Sequence, residues 1–252
     1  MLIQSDYHIH ASYYRVKRPG AAEGPTAVEQ QKAARDAGNI HVGILEHCNN
    51  SSAHPFHCLE ELADEFYSPE FDRRNTYLGV EADLNDDGSD ACGEDGRQKL
   101  QLDYVIGSVH LNPKMIPDVN DYIKVEYNRI KNTILHNRNV DIIGHPFGEG
   151  YRYADANIVE RWGFHLIPQE FLAEIIDLAG KNRVALELNR CDMDDEVYIK
   201  FLHDIRDRGV LFSIGSDAHF PEGCPDAALR TRWAESLGLE EKNHWQPRYV
   251  IN

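Results

Sequence analysis

The chain has 252 residues, of which 26 are Lys or Arg and 42 are Asp or Glu, so its formal net charge is −16. A hydrophobic fraction of 42% and a charged fraction of 27% are typical of globular proteins and exclude wholesale disorder. The acidic balance argues against a long nucleic acid or an anionic membrane as a partner, because both require a positive protein surface. A small anion remains possible wherever the surface is locally positive.

The cysteines and the apolar segments indicate the compartment. Five cysteines stand at positions 48, 58, 92, 191 and 224, an odd number without a Cys-x-x-Cys pair. No apolar run approaches the ~18–20 residues that span a bilayer, and the first residues lack a basic segment followed by an apolar one. We therefore expect a cytoplasmic protein with reduced thiols and no membrane partner.

Seven short aliphatic runs have the composition of strands, and segments with helical periodicity lie between most of them. In chain order the strands are expected at 2–8, 40–46, 76–82, 102–109, 140–144, 183–188 and 210–215. Helices are expected at 26–37, 55–67, 119–138, 168–179, 194–208 and 225–237, with a weaker candidate at 90–101. Thr26 and Glu29 have the spacing of a capping box at the first of these helices.

A regular alternation of strand and helix predicts parallel strands, and seven repeats fit either a closed barrel or a doubly wound sheet. No strand is followed by the Gly-x-Gly-x-x-Gly or P-loop pattern that a nucleotide-binding sheet carries. No composition break or internal repeat divides the chain. We therefore expect residues 1–252 to form one α/β barrel domain.

Histidines and carboxylates stand at the ends of the predicted strands. In a parallel barrel these ends form one rim, and residues two apart on a strand face the same side. A single histidine near a strand end is usually structural, but its recurrence on five of the seven strands is not expected by chance. Imidazoles and carboxylates together suit zinc, manganese or iron, and this set is too rich for one four-coordinate ion. The residues are Asp6, His8, His10, His47, Glu81, His110, His145, Glu187, Asp217 and His219.

The segments that carry these residues resemble the ordered motifs of the polymerase and histidinol phosphatase (PHP) superfamily, over residues 1 to about 220. They are Asp6-Tyr-His-Ile-His10, Leu45-Glu-His47, Gly79-Val-Glu81, Gly107-Ser-Val-His110, Gly144-His-Pro146 and Gly215-Ser-Asp-Ala-His219. The resemblance implies a distorted (β/α)7 barrel, similar to a TIM barrel, with a metal cluster at the C-terminal rim of its strands. The Gly107–His110 segment resembles the histidinol phosphatase branch in particular.

The resemblance also implies a ligand set for two or three divalent ions (zinc, manganese or iron). One ion is held by His8, His10, Glu81 and Asp217, and Glu81 bridges it to a second ion on His110 and His145. His47 and His219 supply a third, while Asp6 and Glu187 orient the imidazoles. Two departures leave the number of ions open. The stretch 12–20 lacks the further histidine of three-metal members, and Glu46 stands where the family usually has Asp.

The implied activity is that of a phosphatase acting on a small anionic phosphate monoester, similar to histidinol phosphate or to a nucleotide. A metal-activated hydroxide attacks phosphorus, so no phosphoenzyme is expected, and Asp217 or His219 protonates the leaving oxygen. Arg152 and Arg190 follow the fifth and sixth strands, where their guanidinium groups suit a phosphate dianion.

Two alternatives stay open. Residues 83–94 match the EF-hand calcium pattern, with Asp83 first and Glu94 last, although they follow a strand instead of a helix. That match supports a non-catalytic protein that binds calcium or another metal. The other alternative is an amidohydrolase that cleaves carbon–nitrogen bonds on a similar metal barrel. Many such enzymes hold a bridging Lys on the fourth strand, which here ends in His110.

Overall fold

The computed structural model describes residues 4–11, 24–49, 56–189, 195–224 and 227–247. Its strands are β1 (Ser5–His10), β2 (His41–Leu45), β3 (His47–Cys48), β4 (Thr76–Asp83), β5 (Tyr104–Ser108), β6 (Ile142–Ile143), β7 (Ala185–Leu188) and β8 (Phe212–Ile214). Its α-helices are α1 (Ala27–Asp36), α2 (His57–Phe66), α3 (Gly93–Leu100), α4 (Val119–His136), α5 (Tyr151–Asp155), α6 (Gln169–Asn182), α7 (Glu196–Asp207) and α8 (Ala227–Ser236).

The strands form a nearly closed barrel. Every pairing between strands is parallel, in the order β1-β2-β4-β5-β6-β7-β8, and β3 continues β2 and pairs with β4. A bridge between Ile9 and Ala218 joins the first strand to the segment after the last, and the His10 amide donates to the Ala218 carbonyl at 2.9 Å. With helices around this ring of seven strand positions, the predicted (β/α)7 fold class is confirmed.

Local sequence explains where the helices begin. The predicted capping box is present at α1, where the Glu29 amide donates to Thr26 Oγ1 at 3.2 Å and the Thr26 amide donates to Glu29 Oε2 at 2.8 Å. Asp118 caps α4 by accepting the amides of the next helical turn. Helix α5 was not predicted, because five residues are too short to show a helical period. None of the helices in the described ranges combines the length and the apolar character that crossing a bilayer requires.

Aromatic side chains fill the part of the barrel interior near the strand starts. Tyr104 lies across the interior, and its hydroxyl donates to the Tyr7 carbonyl at 2.6 Å. A Cβ atom at position 79 would overlap the Tyr104 ring, so Gly79 makes room for it. Trp245 closes this cluster with an edge-on contact to Tyr7, at 5.3 Å between ring centroids. A larger apolar cluster joins the outer face of the strands to the helices.

A β-bulge in β1 controls which side chains point into the barrel. Asp6 is opposite Val42 but Ile9 is opposite Ile44, so β1 carries one extra residue. Tyr7 therefore packs in the interior aromatic cluster, while the next residue, His8, faces the interior at the other end of the barrel. In a regular strand, two consecutive side chains would point to opposite faces. The bulge thus joins the aromatic interior to the site described next.

Candidate metal centre

The carboxylate of Glu81 lies at the centre of a cluster at the C-terminal end of the barrel, and its side chain is completely buried. Five imidazole nitrogens face its two oxygens. Near Oε1 are His145 Nε2 at 2.9 Å, His110 Nε2 at 3.2 Å and His8 Nε2 at 3.4 Å, and near Oε2 are His47 Nδ1 at 2.8 Å and His10 Nε2 at 3.3 Å. Both oxygens of one carboxylate are thus surrounded by nitrogen donors from four strand positions.

Asp217 and His219 complete the cluster from the segment after β8. Asp217 Oδ1 lies 3.2 Å from His10 Nε2 and 3.6 Å from His8 Nε2. His219 Nε2 lies 3.2 Å from His47 Nε2. The structure therefore brings together all eight side chains that the sequence predicts as metal ligands.

Three overlapping sets of these side chains have donor atoms within 4.8 Å of one another, which is close enough to share an ion. The first agrees with the ligand set that the resemblance implies. The second set places His47 with Glu81 and His110, and the third places His10 with His47 and His219. His145, which the prediction assigns to the second ion, is in none of the three sets. The sets are His8, His10, Glu81 and Asp217; His47, Glu81 and His110; and His10, His47 and His219.

The outer nitrogens of several rings have partners that fix the ring orientation. His8 Nδ1 lies 2.7 Å from Glu187 Oε1, and His110 Nδ1 lies 2.6 Å from Asp83 Oδ1. His219 Nδ1 likewise lies 2.9 Å from a backbone carbonyl oxygen. A neutral ring that donates through Nδ1 presents the lone pair of Nε2, which is how metal-bound histidines are held. When neutral, the three rings would therefore direct lone pairs toward the centre.

Glu187 and Asp6, both predicted to orient the imidazoles, act in different ways. Glu187 contacts His8 directly, and a Cβ at position 215 would overlap its Oε1, so Gly215 leaves the space that this contact needs. Asp6 instead accepts the backbone amides of His8, at 3.2 Å, and Ser216, at 3.0 Å. Asp6 thus holds the backbone of β1 against the segment that carries the last ligands.

Two buried oxygens show that this site fits a cation. Glu81 Oε2 and Asp217 Oδ1 are buried and receive no hydrogen bond, although imidazole nitrogens surround them. A buried acceptor without a donor is costly, and nitrogen lone pairs facing it add repulsion. A divalent ion satisfies both kinds of atom, and the mixture of imidazole and carboxylate ligands suits zinc, manganese or iron.

Burial and mutual contact shift the protonation of the cluster. Burial, together with the neighbouring His10, lowers the pKa of His47 to about 4, so the His47 ring is neutral at pH 7. Burial also lowers the pKa of His10. Burial alone would raise the pKa of Glu81, but the surrounding histidines hold it well below its ordinary value. Nearby carboxylates, Glu81 among them, outweigh burial and raise the pKa of His8, His110 and His145. Metal binds neutral imidazoles and ionised carboxylates, so an ion would have to displace protons from these three rings.

The backbone is strained at two of the predicted ligands. His145 has φ 24° and Asp217 has φ 57°, which non-glycine residues rarely adopt and which costs about 1–3 kcal/mol each. Phe147, two residues after His145, has φ 61°. Buried carboxylates hold this turn, because Glu187 accepts the His145 amide at 2.8 Å and Glu126 accepts the Phe147 amide. Such strain, kept in place by buried hydrogen bonds, is typical of functional sites.

A cavity of about 380 Å³ adjoins the cluster, and His145, Glu187 and Asp217 belong to both. This is the volume of a small-molecule site. Its walls are mainly apolar, and the aromatic side chains among them are Phe147, Tyr151, Trp162, Phe164, Tyr198 and Phe201.

The predicted phosphate-binding arginines are not both found at this cavity. Arg152 donates to Glu149 and lies over the Tyr151 ring, at 5.4 Å from its centroid, with 45% of its side chain exposed. Arg190 lies outside the described residues. Arg161, which the sequence did not single out, lines the cavity. It lies sixteen residues after His145, and only the fold of the intervening segment returns it to the site.

The carboxylates of the EF-hand-like stretch have other partners. Asp83 contacts His110, Asp86 contacts Arg129 at 2.7 Å, and Asp87 accepts the Ser89 amide at 2.9 Å. The sequence treated Asp83 as a possible calcium ligand, but the structure directs it to an imidazole of the cluster.

No family model matches this chain. A relative among curated proteins is the DNA polymerase/3'-5' exonuclease PolX of Bacillus subtilis (strain 168), 27% identical over 251 residues that cover 94% of this chain. The chain spans only 39% of the length of that polymerase. A similar solved structure is the histidinol phosphate phosphatase of Lactococcus lactis complexed with zinc, L-histidinol and phosphate, at a TM-score of 0.65 and 16% identity over 95% of both chains.

The likeness to the phosphatase is one of fold. Together, the two proteins represent the two activities for which the polymerase and histidinol phosphatase superfamily is named. The predicted resemblance of this chain to that superfamily is therefore confirmed.

Proposed function

We propose that this chain is a metal-dependent phosphatase that hydrolyses a small phosphate monoester. The observation that carries the proposal is the buried Glu81 carboxylate, which five imidazole nitrogens face, in a cluster whose His145 and Asp217 line a cavity of about 380 Å³. The fold shared with a phosphatase solved with zinc and phosphate supports it.

The residues that would hold the ions are those of the three overlapping sets, with Glu81 common to two of them. Divalent ions held there would supply water with a pKa lowered toward neutrality and would neutralise charge on the phosphoryl oxygens. The chain contributes Glu187 and Asp83, which keep the His8 and His110 rings oriented. No serine or cysteine nucleophile is required, so we propose direct hydrolysis without a phosphoenzyme.

We assign the proton transfer to the leaving oxygen to Asp217 or His219. Both are partly exposed, with 27% and 23% of their side chains accessible, as is His110 with 23%, whereas His8, His10 and Glu81 are completely buried. Asp217 also lines the cavity, so it lies between the cluster and the space for the alcohol. A leaving oxygen that departs toward the cavity would therefore lie near Asp217, with His219 two residues further along the same segment.

The charge of the phosphate requires a cation besides the metals. Arg161 is the arginine that lines the cavity within the described part of the chain, and we assign it this contact. Arg152 would have to leave Glu149 to reach a phosphate. Its role stays a prediction, as does that of Arg190.

The cavity favours one of the two predicted substrate types. Its aromatic walls suit a planar ring, which both histidinol phosphate and a nucleotide provide. Its charged lining is acidic, with Glu149, Asp155 and Glu160 against Arg161. An acidic lining favours a leaving alcohol with a positive charge, so we propose a histidinol phosphate-like ester over a nucleotide.

The test combines metal content with phosphate release from histidinol phosphate and from nucleoside monophosphates. We expect two or more zinc, manganese or iron ions per chain, and a loss of phosphate release of at least about 100-fold in His110→Ala and in Asp217→Ala. The matched control is Glu94→Gln. Glu94 is an exposed acid that follows the strand carrying Glu81, and this variant should retain activity.

Other outcomes would replace the proposal. Calcium alone, or transition metals without turnover, would favour the non-catalytic metal-binding protein. Hydrolysis of a cyclic amide, without hydrolysis of any phosphate ester, would favour the amidohydrolase.

A further inference from the structure

Gln30 is a completely buried residue of α1 that the sequence did not single out. It lies against the seam of the barrel, where β1 meets the segment after β8. Its Nε2 donates to the His10 carbonyl at 2.7 Å and to the Ala218 carbonyl at 3.2 Å. The first carbonyl belongs to one edge of the seam and the second to the other, so a single side-chain amide holds both edges.

The orientation of the Gln30 amide is fixed by its neighbours. A primary amide nitrogen has two hydrogens to donate, and each carbonyl oxygen accepts one of them. The opposite orientation would place Gln30 Oε1 against two carbonyl oxygens, which is costly in a buried position. In the observed orientation Oε1 lies 3.9 Å from the Cys224 sulfur, which donates weakly to it.

The backbone bonds across the seam meet at the same place. The Ala218 carbonyl also accepts the His10 amide, at 2.9 Å, and the Ala218 amide donates to the His8 carbonyl at 3.3 Å. Ala218 is flanked on both sides by proposed metal ligands. The bonds from Gln30 therefore hold the backbone from which proposed ligands of both edges project.

The three ligand sets depend on this seam to different degrees. Two of them take side chains from both edges, and we call them the seam-spanning sets. The remaining set takes its side chains from β3, from β4 and from the segment after β5, and none from either edge. A displacement of one edge against the other would thus change only the seam-spanning sets. These are His8, His10, Glu81 and Asp217, and His10, His47 and His219, whereas the remaining set is His47, Glu81 and His110.

We propose that Gln30 is a positioning residue of the metal centre, which holds His10 and the segment 217–219 together for the ions of the seam-spanning sets. This inference rests on the proposed function, since it requires that the centre binds metal. Without the Gln30 amide, two buried carbonyls lose a donor, so the edges must shift to find another partner. The ligands on each edge move with their backbone.

The next residue along α1 provides a matched control. Gln31 is also buried, and its Nε2 also donates two bonds, to the Asp72 carbonyl and to Thr76 Oγ1, both at 2.7 Å. Thr76 is the first residue of β4, at the end of the barrel away from the metal centre. Methionine is unbranched like glutamine and has no amide, so Gln30→Met and Gln31→Met remove bonds of the same kind. Each variant should lower Tm by roughly 5 °C.

The first measurement is a stepwise zinc titration of the full native chain and of both variants. Gln30→Met should weaken the ions of the seam-spanning sets by about 10-fold and leave the ion of the remaining set unchanged. His10→Ala removes a ligand of both seam-spanning sets and thereby identifies the step that belongs to the remaining set. Gln31→Met should match the native chain at every step, because its lost bonds lie far from the ligands.

The second measurement needs no metal. It follows hydrogen exchange of the His10 amide, which donates across the seam, in the metal-free chains. We expect exchange about 10-fold faster in Gln30→Met than in the native chain, and unchanged in Gln31→Met. Should Gln30→Met fail to fold, Gln30→Asn keeps an amide but draws it back by about 1.5 Å, and the same pattern is expected from it.

The outcomes separate this inference from the proposed function. Zinc affinities that fall equally in Gln30→Met and Gln31→Met, or that do not change in Gln30→Met, would overturn the positioning role. Unchanged exchange of the His10 amide would overturn the hold on the seam. A native chain that binds no zinc would overturn the proposed function and the effect on the ions, while the exchange measurement still decides whether Gln30 holds the seam.

Discussion

The two halves of the barrel interior are equally buried but contain opposite chemistry. Near the strand starts, Tyr7, Tyr104 and Trp245 pack edge to face, and the hydroxyl of Tyr104 donates to a carbonyl. Near the strand ends, His8 and Glu81 are as completely buried, yet the Glu81 carboxylate has an oxygen without a hydrogen bond. Burial stabilises the first half because apolar surface leaves water. In the second half, burial is costly until a cation satisfies the donor atoms.

We infer from this difference that the chain separates the part that holds the barrel together from the proposed metal site. A change in the aromatic half should lower the free energy of unfolding and leave catalysis unchanged. A change in the histidine half should reduce metal binding and catalysis and have little effect on the stability of the metal-free chain. The following experiments test that separation.

The largest effect is expected from Tyr104→Ala. The ring is fully buried across the barrel interior, so its loss should lower the free energy of unfolding by about 3–5 kcal/mol, as for other large aromatic truncations. Chemical denaturation measures this, and kcat of the folded fraction at low temperature should stay unchanged. A folded variant with kcat reduced as strongly as in His110→Ala would show that the two halves are not separate.

A second experiment compares two buried carboxylates. Glu126 lies outside the cluster, and burial raises its pKa to about 7, whereas histidines hold the pKa of Glu81 low. Because the folded pKa of Glu126 lies above its ordinary value of 4.5, its contribution to stability is complete below pH 4.5 and is lost as the pH rises through 7.

Glu126→Gln keeps an oxygen for the Phe147 amide and removes the buried charge. We expect the variant to gain up to about 3 kcal/mol relative to the native chain at pH 8 and little at pH 4.5. Unfolding curves across this range measure the difference. Parallel pH profiles for the two chains would mean that Glu126 does not titrate in this window.

Metal binding should stabilise the histidine half. Zinc at 100 times its dissociation constant should raise the free energy of unfolding by about 2.7 kcal/mol, and a chelator should remove that gain. Thermal unfolding of the native chain and of Glu81→Gln, with and without zinc, measures this. The variant should lose the gain, and an equal gain in both chains would place zinc elsewhere.

The smallest effect is expected from Gly215→Ala. The added Cβ overlaps Glu187 Oε1, which must then move away from His8. Loss of such an orienting contact should weaken zinc binding by about 10-fold, which titration detects. Gly180→Ala, where the added Cβ meets a side chain only at 3.4 Å, is the matched control and should leave zinc affinity unchanged. Equal affinities in the native chain and both variants would show that the Glu187 contact does not tune the site.

Residue type and strand position were enough to predict much of this arrangement. His8 and His10, two apart on one strand, do face the same centre, and the residues at the other strand ends meet them because parallel strands end at one rim. These relations follow from short sequence patterns and fold geometry. The β/α alternation likewise predicted parallel strands, and the absence of a nucleotide-binding glycine pattern after any strand favoured the barrel over a doubly wound sheet.

Features that depend on distant contacts were not predictable. The bulge in β1 turns Tyr7 and His8 to the same interior, and no local pattern marks it. Asp83 matches the first position of a calcium-binding pattern, but the fold places His110 against it. Arg152 was expected at the phosphate but pairs with Glu149. The partner of Asp83, His110, lies 27 positions along the chain. The partner of Arg152, Glu149, is one of several acids close to it in sequence.

The closure of the barrel has a consequence for the order in which the molecule forms. β1 meets the segment after β8 through the bridge between Ile9 and Ala218, and the Ser216 amide donates to Asp6 across 210 positions of sequence. His8 and His10 therefore acquire Asp217 and His219 only after the last strand has been synthesised and placed. Loop closure over such a distance is slow, so we expect ion capture to be a late step in folding. An ion held by both edges of the seam would then oppose their separation.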